Sequence, residues 1–128
     1  MLGLFKRKKI EIINKEEFVV TMTRIVELLL DNGYPYQADA VKKPLEYLHS
    51  DDKENFLKYF LTVDIWGGSG AAWEVGRFKS RKVEIEFETC FIKLAELMKQ
   101  TGIRNGKAQS IAKYFKKDIE KLNSATYR

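Results

Sequence analysis

Both tryptophans of the chain and four of its eight glycines fall within residues 64–76, Asp64-Ile65-Trp66-Gly67-Gly68-Ser69-Gly70-Ala71-Ala72-Trp73-Glu74-Val75-Gly76. Glycines this dense mark backbone positions where a Cβ would collide or where φ turns positive. The indoles bracket the turn, and each is large enough to fix it against a core. Within the stretch, residues 70–75 read as a short helix with Ser69 as its N-cap and Gly76 as the left-handed residue that ends it. Helical patterns lie on both sides, so an ordered knot between two helical halves is expected.

The flanks set out those halves. Ile10 to Ile13 is a short strand or an extended lead-in. Asn14 with Glu17 makes a capping-box-like start for a helix whose apolar face is Phe18, Met22, Ile25 and Leu29, widened by Val19, Val26 and Leu30. Gly33 ends it. Pro35 suits the first turn of a second helix, which buries Ala38, Val41, Leu45 and Leu48. Pro44 lies inside that pattern and deletes a backbone hydrogen bond, so a kink or a split is expected there. Asp51 with Glu54 caps a third helix carrying Phe56, Leu57, Phe60 and Leu61.

Beyond the knot, Arg77 to Arg81 is a basic connector. Val83-Glu84-Ile85-Glu86-Phe87-Glu88 alternates as a strand does, yet Val83, Phe87, Cys90, Phe91, Leu94, Leu97 and Met98 also fit one helical face. The helical pattern is longer and has a cap at Ser80 and a stop at Gly102, so one long helix is expected. Asn105 opens the last helix, with Ala108, Ile111, Ala112, Phe115, Ile119 and Leu122 inward. The expectation is an all-α single domain over residues 1–128. About five helices form a bundle, with the knot between the third and fourth, a mobile basic arm at 1–9 and a frayed tail at 123–128.

A net charge of +5 is compatible with nucleic acid, acidic lipid or an acidic protein, and selects none of them. Ordinary solubility explains it as well. The single cysteine, Cys90, forbids an intramolecular disulfide and fits a reducing compartment. No apolar run reaches the length of a membrane span, and the first residues place their apolar part ahead of their charges, the reverse of a secretory signal. A cytoplasmic location is the expectation.

Most catalytic chemistries fail on their motifs. Gly67-Gly68-Ser69-Gly70-Ala71 approaches a nucleophile elbow, but Ala71 replaces the final glycine and the only histidine, His49, lies upstream. No nucleotide-binding glycine loop matches. One histidine and one cysteine cannot make a zinc site, and no cofactor is called for. Asp64 and Glu74 flank the knot as a carboxylate pair that could do acid–base work. A loop anchor at Asp64 and a solvated Glu74, or one paired with Arg77, explain them more simply, and no enzyme is expected. The amides of Gly67, Gly68, Ser69 and Gly70 could cradle an anion with Arg77 as counter-charge, although a purely structural turn is preferred. Lys113, Lys116, Lys117 and Lys121, with Arg104, Lys107 and the cations at 6–9, could neutralise phosphates. Asp118 and Glu120 interrupt that face. Tyr34 and Tyr36 beside Pro35 make an aromatic corner, either an interaction surface or half-buried rings with their hydroxyls in water.

The run from Trp66 to Val75, followed by a helix ending in Leu94-Ala95-Glu96-Leu97-Met98, resembles small uncharacterised bacterial all-helical proteins, over about half of the chain. Some similar proteins are immunity factors encoded beside toxins. The resemblance implies a non-enzymatic role in binding another protein. Immunity proteins against nucleases tend to be acidic, and this chain is basic, so an acidic partner is expected. The leading expectation is thus a non-catalytic protein-binding module. Its contact residues are Trp66, Gly67, Gly68, Ser69, Gly70, Trp73, Glu74 and Arg77. Nucleic-acid binding ranks second and a small enzyme using Asp64 and Glu74 last, with the oligomeric state open.

Overall fold

Six helices and no strand make up residues 10–125, the part of the chain that the computed structural model describes. They are α1 (Lys15–Asp31), α2 (Pro35–His49), α3 (Lys53–Phe60), α4 (Val63–Trp66), α5 (Arg81–Thr101) and α6 (Gly106–Ala125). The all-α bundle follows the expected plan, with the extra short helix α4 belonging to the knot. None of the described helices is long and apolar enough to cross a membrane. Residues 1–9 and 126–128, the basic arm and the end of the tail, lie outside the described residues.

The helices form where local patterns place them. In α1 the stripe Phe18, Met22, Ile25 and Leu29 is fully buried, and Leu28 joins it. Leu30, read as part of that face, is 46% exposed. All four expected core residues of α2 are buried. Residues 83–88 are helical, which settles the ambiguity of their alternation: α5 begins at Ser80, whose hydroxyl accepts from the Val83 amide at 3.1 Å. It ends at Gly102, whose φ of 83° is the left-handed conformation that glycine adopts freely. Asn105 Oδ1 accepts from the Ala108 amide at 3.0 Å and starts α6.

Several local readings are resolved or corrected. Residues 10–13 form a lead-in without strand structure, with Ile10 and Ile12 packed against the core. Asn14 makes no side-chain cap and donates instead to Gln100 Oε1 of α5 at 3.1 Å. Helix α2 runs through Pro44 without a split, and the buried proline ring fills core space. The cap of α3 is Asp52, which accepts from the Asn55 amide and side chain. Asp51 takes a positive φ of 58° and pairs with Lys15 at 2.7 Å. Residues 123–125 continue α6 rather than fraying.

Helix α1 is the centre, packed on both α2 and α5, while α3 packs on α2 and α6 on α5. Gln109 of α6 donates to the Ala95 carbonyl of α5, and Asp118 lies against Glu88. Rising numbers on one helix thus meet falling numbers on the other, so α5 and α6 are an antiparallel hairpin.

Candidate functional site

The knot is built from both ends inward. Trp66, at the close of α4, is only 3% exposed, and its Nε1–H donates to the Phe60 carbonyl at 2.9 Å. Its ring stands edge-to-face on Phe60 at 5.8 Å and on Phe91 at 5.6 Å. Phe60 meets Phe18 at 6.2 Å and Phe91 meets Phe115 at 6.1 Å. A continuous aromatic path therefore runs from α1 through the indole to α6, joining the two helical halves.

The half-buried Trp73 closes the bend. Its Nε1–H donates to the Gly67 carbonyl, and its ring lies against Tyr114 and Phe115 of α6. The chain between the indoles folds back on α4, with the Ala72 amide bonded to the Asp64 carbonyl at 2.8 Å and Trp73 N to Ile65 O at 3.4 Å. A Cβ at Gly67 would strike the Val63 carbonyl. Gly70 has a φ of 87°. These two glycines are required by sterics, whereas Gly68 and Gly76 face open space with ordinary φ.

Residues 70–75 do not form a helix, Ser69 caps nothing, and Gly76 is not left-handed. The anion cradle loses the helix N-terminus it was built on, and of its amides that of Gly67 is already taken by the Val63 carbonyl. Among the described residues no ion pair joins Glu74 to Arg77, and both are exposed. The connector is nevertheless held on its backbone. Tyr34 Oη donates to the Arg77 carbonyl at 2.8 Å and accepts from the Arg77 amide at 2.9 Å. Asn32 Oδ1 accepts from the Lys79 amide at 2.8 Å. Tyr34 is therefore a clamp rather than a contact surface, while Tyr36 is 76% exposed.

Of the expected contact residues, Trp66 is turned into the core and Trp73 mostly so. Gly68, Ser69, Gly70, Glu74 and Arg77 remain on the rim. The structure adds Val63, which the sequence did not single out, and turns outward Leu61, expected on the apolar face of the third helix. Val63 is 78% exposed and Leu61 40% exposed, and they edge a groove of about 330 Å³ with Thr62, Trp66, Gly67 and Lys107. A second groove, of about 230 Å³, lies on the other side of Thr62 between Tyr36, Lys43, Tyr59 and Asp64. Lys107 Nζ stands 5.6 Å from the Trp73 ring centroid. Leu61 fits a helical core stripe by spacing, and only the early end of α3 turns it outward.

Away from the knot, Glu84 and Glu88 of α5 and Asp118 of α6 bring their carboxylate oxygens within 4.8 Å of one another. Burial, reinforced by Asp118 and Glu84, pushes the Glu88 carboxyl up to about 9. Burial also raises Glu84, against the pull of Arg81. On the opposite edge of α5, Glu86 is held below the usual carboxylate range by a two-pronged ion pair with Arg24 of α1, at 2.6 and 2.9 Å.

No family model matches this chain, and neither the curated proteins nor the solved structures give a significant match.

Proposed function

We propose that the protein is a non-catalytic, cytoplasmic protein-binding module, of the immunity type that the knot resembles, and that it docks an acidic protein on α4 and the outer rim of the knot. The observation that carries this reading is the exposure of Leu61 and Val63 at the α3–α4 turn and of Tyr36 on α2, around two grooves that meet at Thr62, with the turn bonded to the core through its backbone. Aliphatic and aromatic groups fixed in water by a stiff backbone lose little entropy on binding and are suited to anchor a partner. Lys43, Arg77 and Lys107 supply a cationic fringe for an acidic surface. Asp64 and Glu74, both exposed, belong to the same rim.

Capture of partners from the native cell is the test, comparing the wild-type chain with Val63→Asp, Glu74→Ala and Arg77→Ala. Loss of the same partner in Val63→Asp and in at least one rim variant is expected. Folded variants that keep every partner would reduce the knot to a structural element.

One observation favours nucleic acid as the second reading. Asp118 turns toward α5, so only Glu120 still interrupts the exposed Lys113, Lys116, Lys117 and Lys121. Retardation of DNA or RNA that collapses between low and moderate salt would support it; no retardation at low salt removes it.

A further inference from the structure

We propose that Glu84, Glu88 and Asp118 form a binding site for a hard divalent cation of the Ca²⁺, Mg²⁺ and Mn²⁺ class, in the seam between α5 and α6. Glu84 and Glu88 are one helical turn apart on a single face, and Asp118 comes from the facing helix, so both helices of the hairpin supply ligands. Glu88 is 4% exposed, and among the described residues its Oε1 has no hydrogen-bond partner although it is shut away from water; the carboxyl's hydrogen bond is to Asp118, itself an acid. A buried oxygen of this kind requires either a donor or a positive charge. Its charged neighbours, Asp118 and Glu84, are both anions. Among the described residues, the cation acting on the cluster is Arg81, which influences Glu84 from the exposed first turn of α5.

The donor set chooses the class of ion. Carboxylate oxygens without histidine or thiol suit oxygen-seeking cations rather than zinc or copper. A spread of up to 4.8 Å between ligand atoms is about the diameter of a Ca²⁺ shell, whose bonds are roughly 2.3–2.6 Å. Mg²⁺ and Mn²⁺ fit after a small inward movement of the ligands. Three carboxylates leave several positions to water, so the affinity belongs with weak sites, with dissociation constants on the order of 10⁻⁴–10⁻³ M. Ligation needs the carboxylate form, so a proton and the cation compete for the same oxygens.

Calorimetric titration of the EDTA-treated, desalted full chain with CaCl₂, MgCl₂ or MnCl₂ tests the site, together with unfolding midpoints. One ion per chain is expected, with a midpoint that rises with cation and an affinity that strengthens as pH increases. Glu84→Gln and Asp118→Asn, both at partly exposed positions, should each weaken binding at least tenfold, and Glu88→Gln should abolish it. Should Glu88→Gln fail to fold, the other two decide. Wild-type protein that shows neither heat nor a midpoint change at about 10 mM of each cation, well above such dissociation constants, overturns the site and leaves a proton-sharing carboxyl cluster. Undiminished binding by Glu84→Gln and Asp118→Asn also overturns it, since the ion would then sit elsewhere.

Discussion

Gly67 and Gly68 are neighbours, yet a methyl group would meet different surroundings at the two. At Gly67 it strikes a backbone carbonyl of α4 that cannot step aside, and at Gly68 it meets solvent. Gly67→Ala should therefore lower stability by roughly 1–3 kcal/mol, as overpacking does, while Gly68→Ala stays within about 0.5 kcal/mol. Paired denaturant titrations read the difference. Trp66→Ala removes the middle of the aromatic path and should cost roughly 3–5 kcal/mol. A smaller loss would mean that the two halves cohere without the indole. Glu88 makes a pH prediction. Its folded carboxyl is raised to about 9 from an ordinary 4.5, so between those values the folded chain holds a proton that the unfolded chain has released. The stability this group contributes is full below about pH 4.5 and is lost as pH climbs to 9. In EDTA the wild-type midpoint should fall over that interval, and Glu88→Gln should flatten the fall.

At the scale of elements, α5 is the clearest case of local determination. Seven apolar residues share one face, Ser80 caps the start and Gly102 ends the helix, and these signals outweigh the six-residue alternation from Val83 to Glu88. Ser80→Ala should cost about 1 kcal/mol through the lost cap, visible as a lower unfolding midpoint with the folded helix content unchanged. Where two local solutions were close, the chain chose by contacts that no short window contains. Asp52 rather than Asp51 caps α3, because Asp51 turns to Lys15 of α1. Asn14 gives up a cap for Gln100, 86 residues away in sequence. Pro44 deletes one hydrogen bond of α2, yet its buried ring packs well enough for the helix to continue.

Across the whole molecule, burial decides which reactive groups are reachable. Cys90 sits on the partly covered side of α5, where burial pushes its thiol up to about 11. Thiolate is the reacting form, so labelling by a disulfide reagent at neutral pH should be far slower than in denaturant. Fast labelling of the folded chain would mean that α5 opens readily. Arg24 fastens α1 to α5 through Glu86 across a surface that remains wet, so that pair is expected to contribute little on its own. The interior holds the bundle together: Phe18, Phe60, Trp66, Phe91 and Phe115 come from α1, α3, α4, α5 and α6, and each is nearly or fully buried.

The linear order of residues was sufficient for the all-α class, the buried faces of α1, α2, α5 and α6, and the importance of the tryptophan–glycine knot. Periodicity and caps act within about four residues, so a single chain displays them openly. The path of the knot was decided only in three dimensions. The backbone of residues 71–74 satisfies its amides on α4 and on itself rather than as a new helix, and the indoles reach partners on α3, α5 and α6. The exposure of Val63 and Leu61 and the meeting of Glu84 and Glu88 with Asp118 have the same origin. Each depends on surfaces contributed by distant parts of the chain, and those surfaces exist only once the helices have packed.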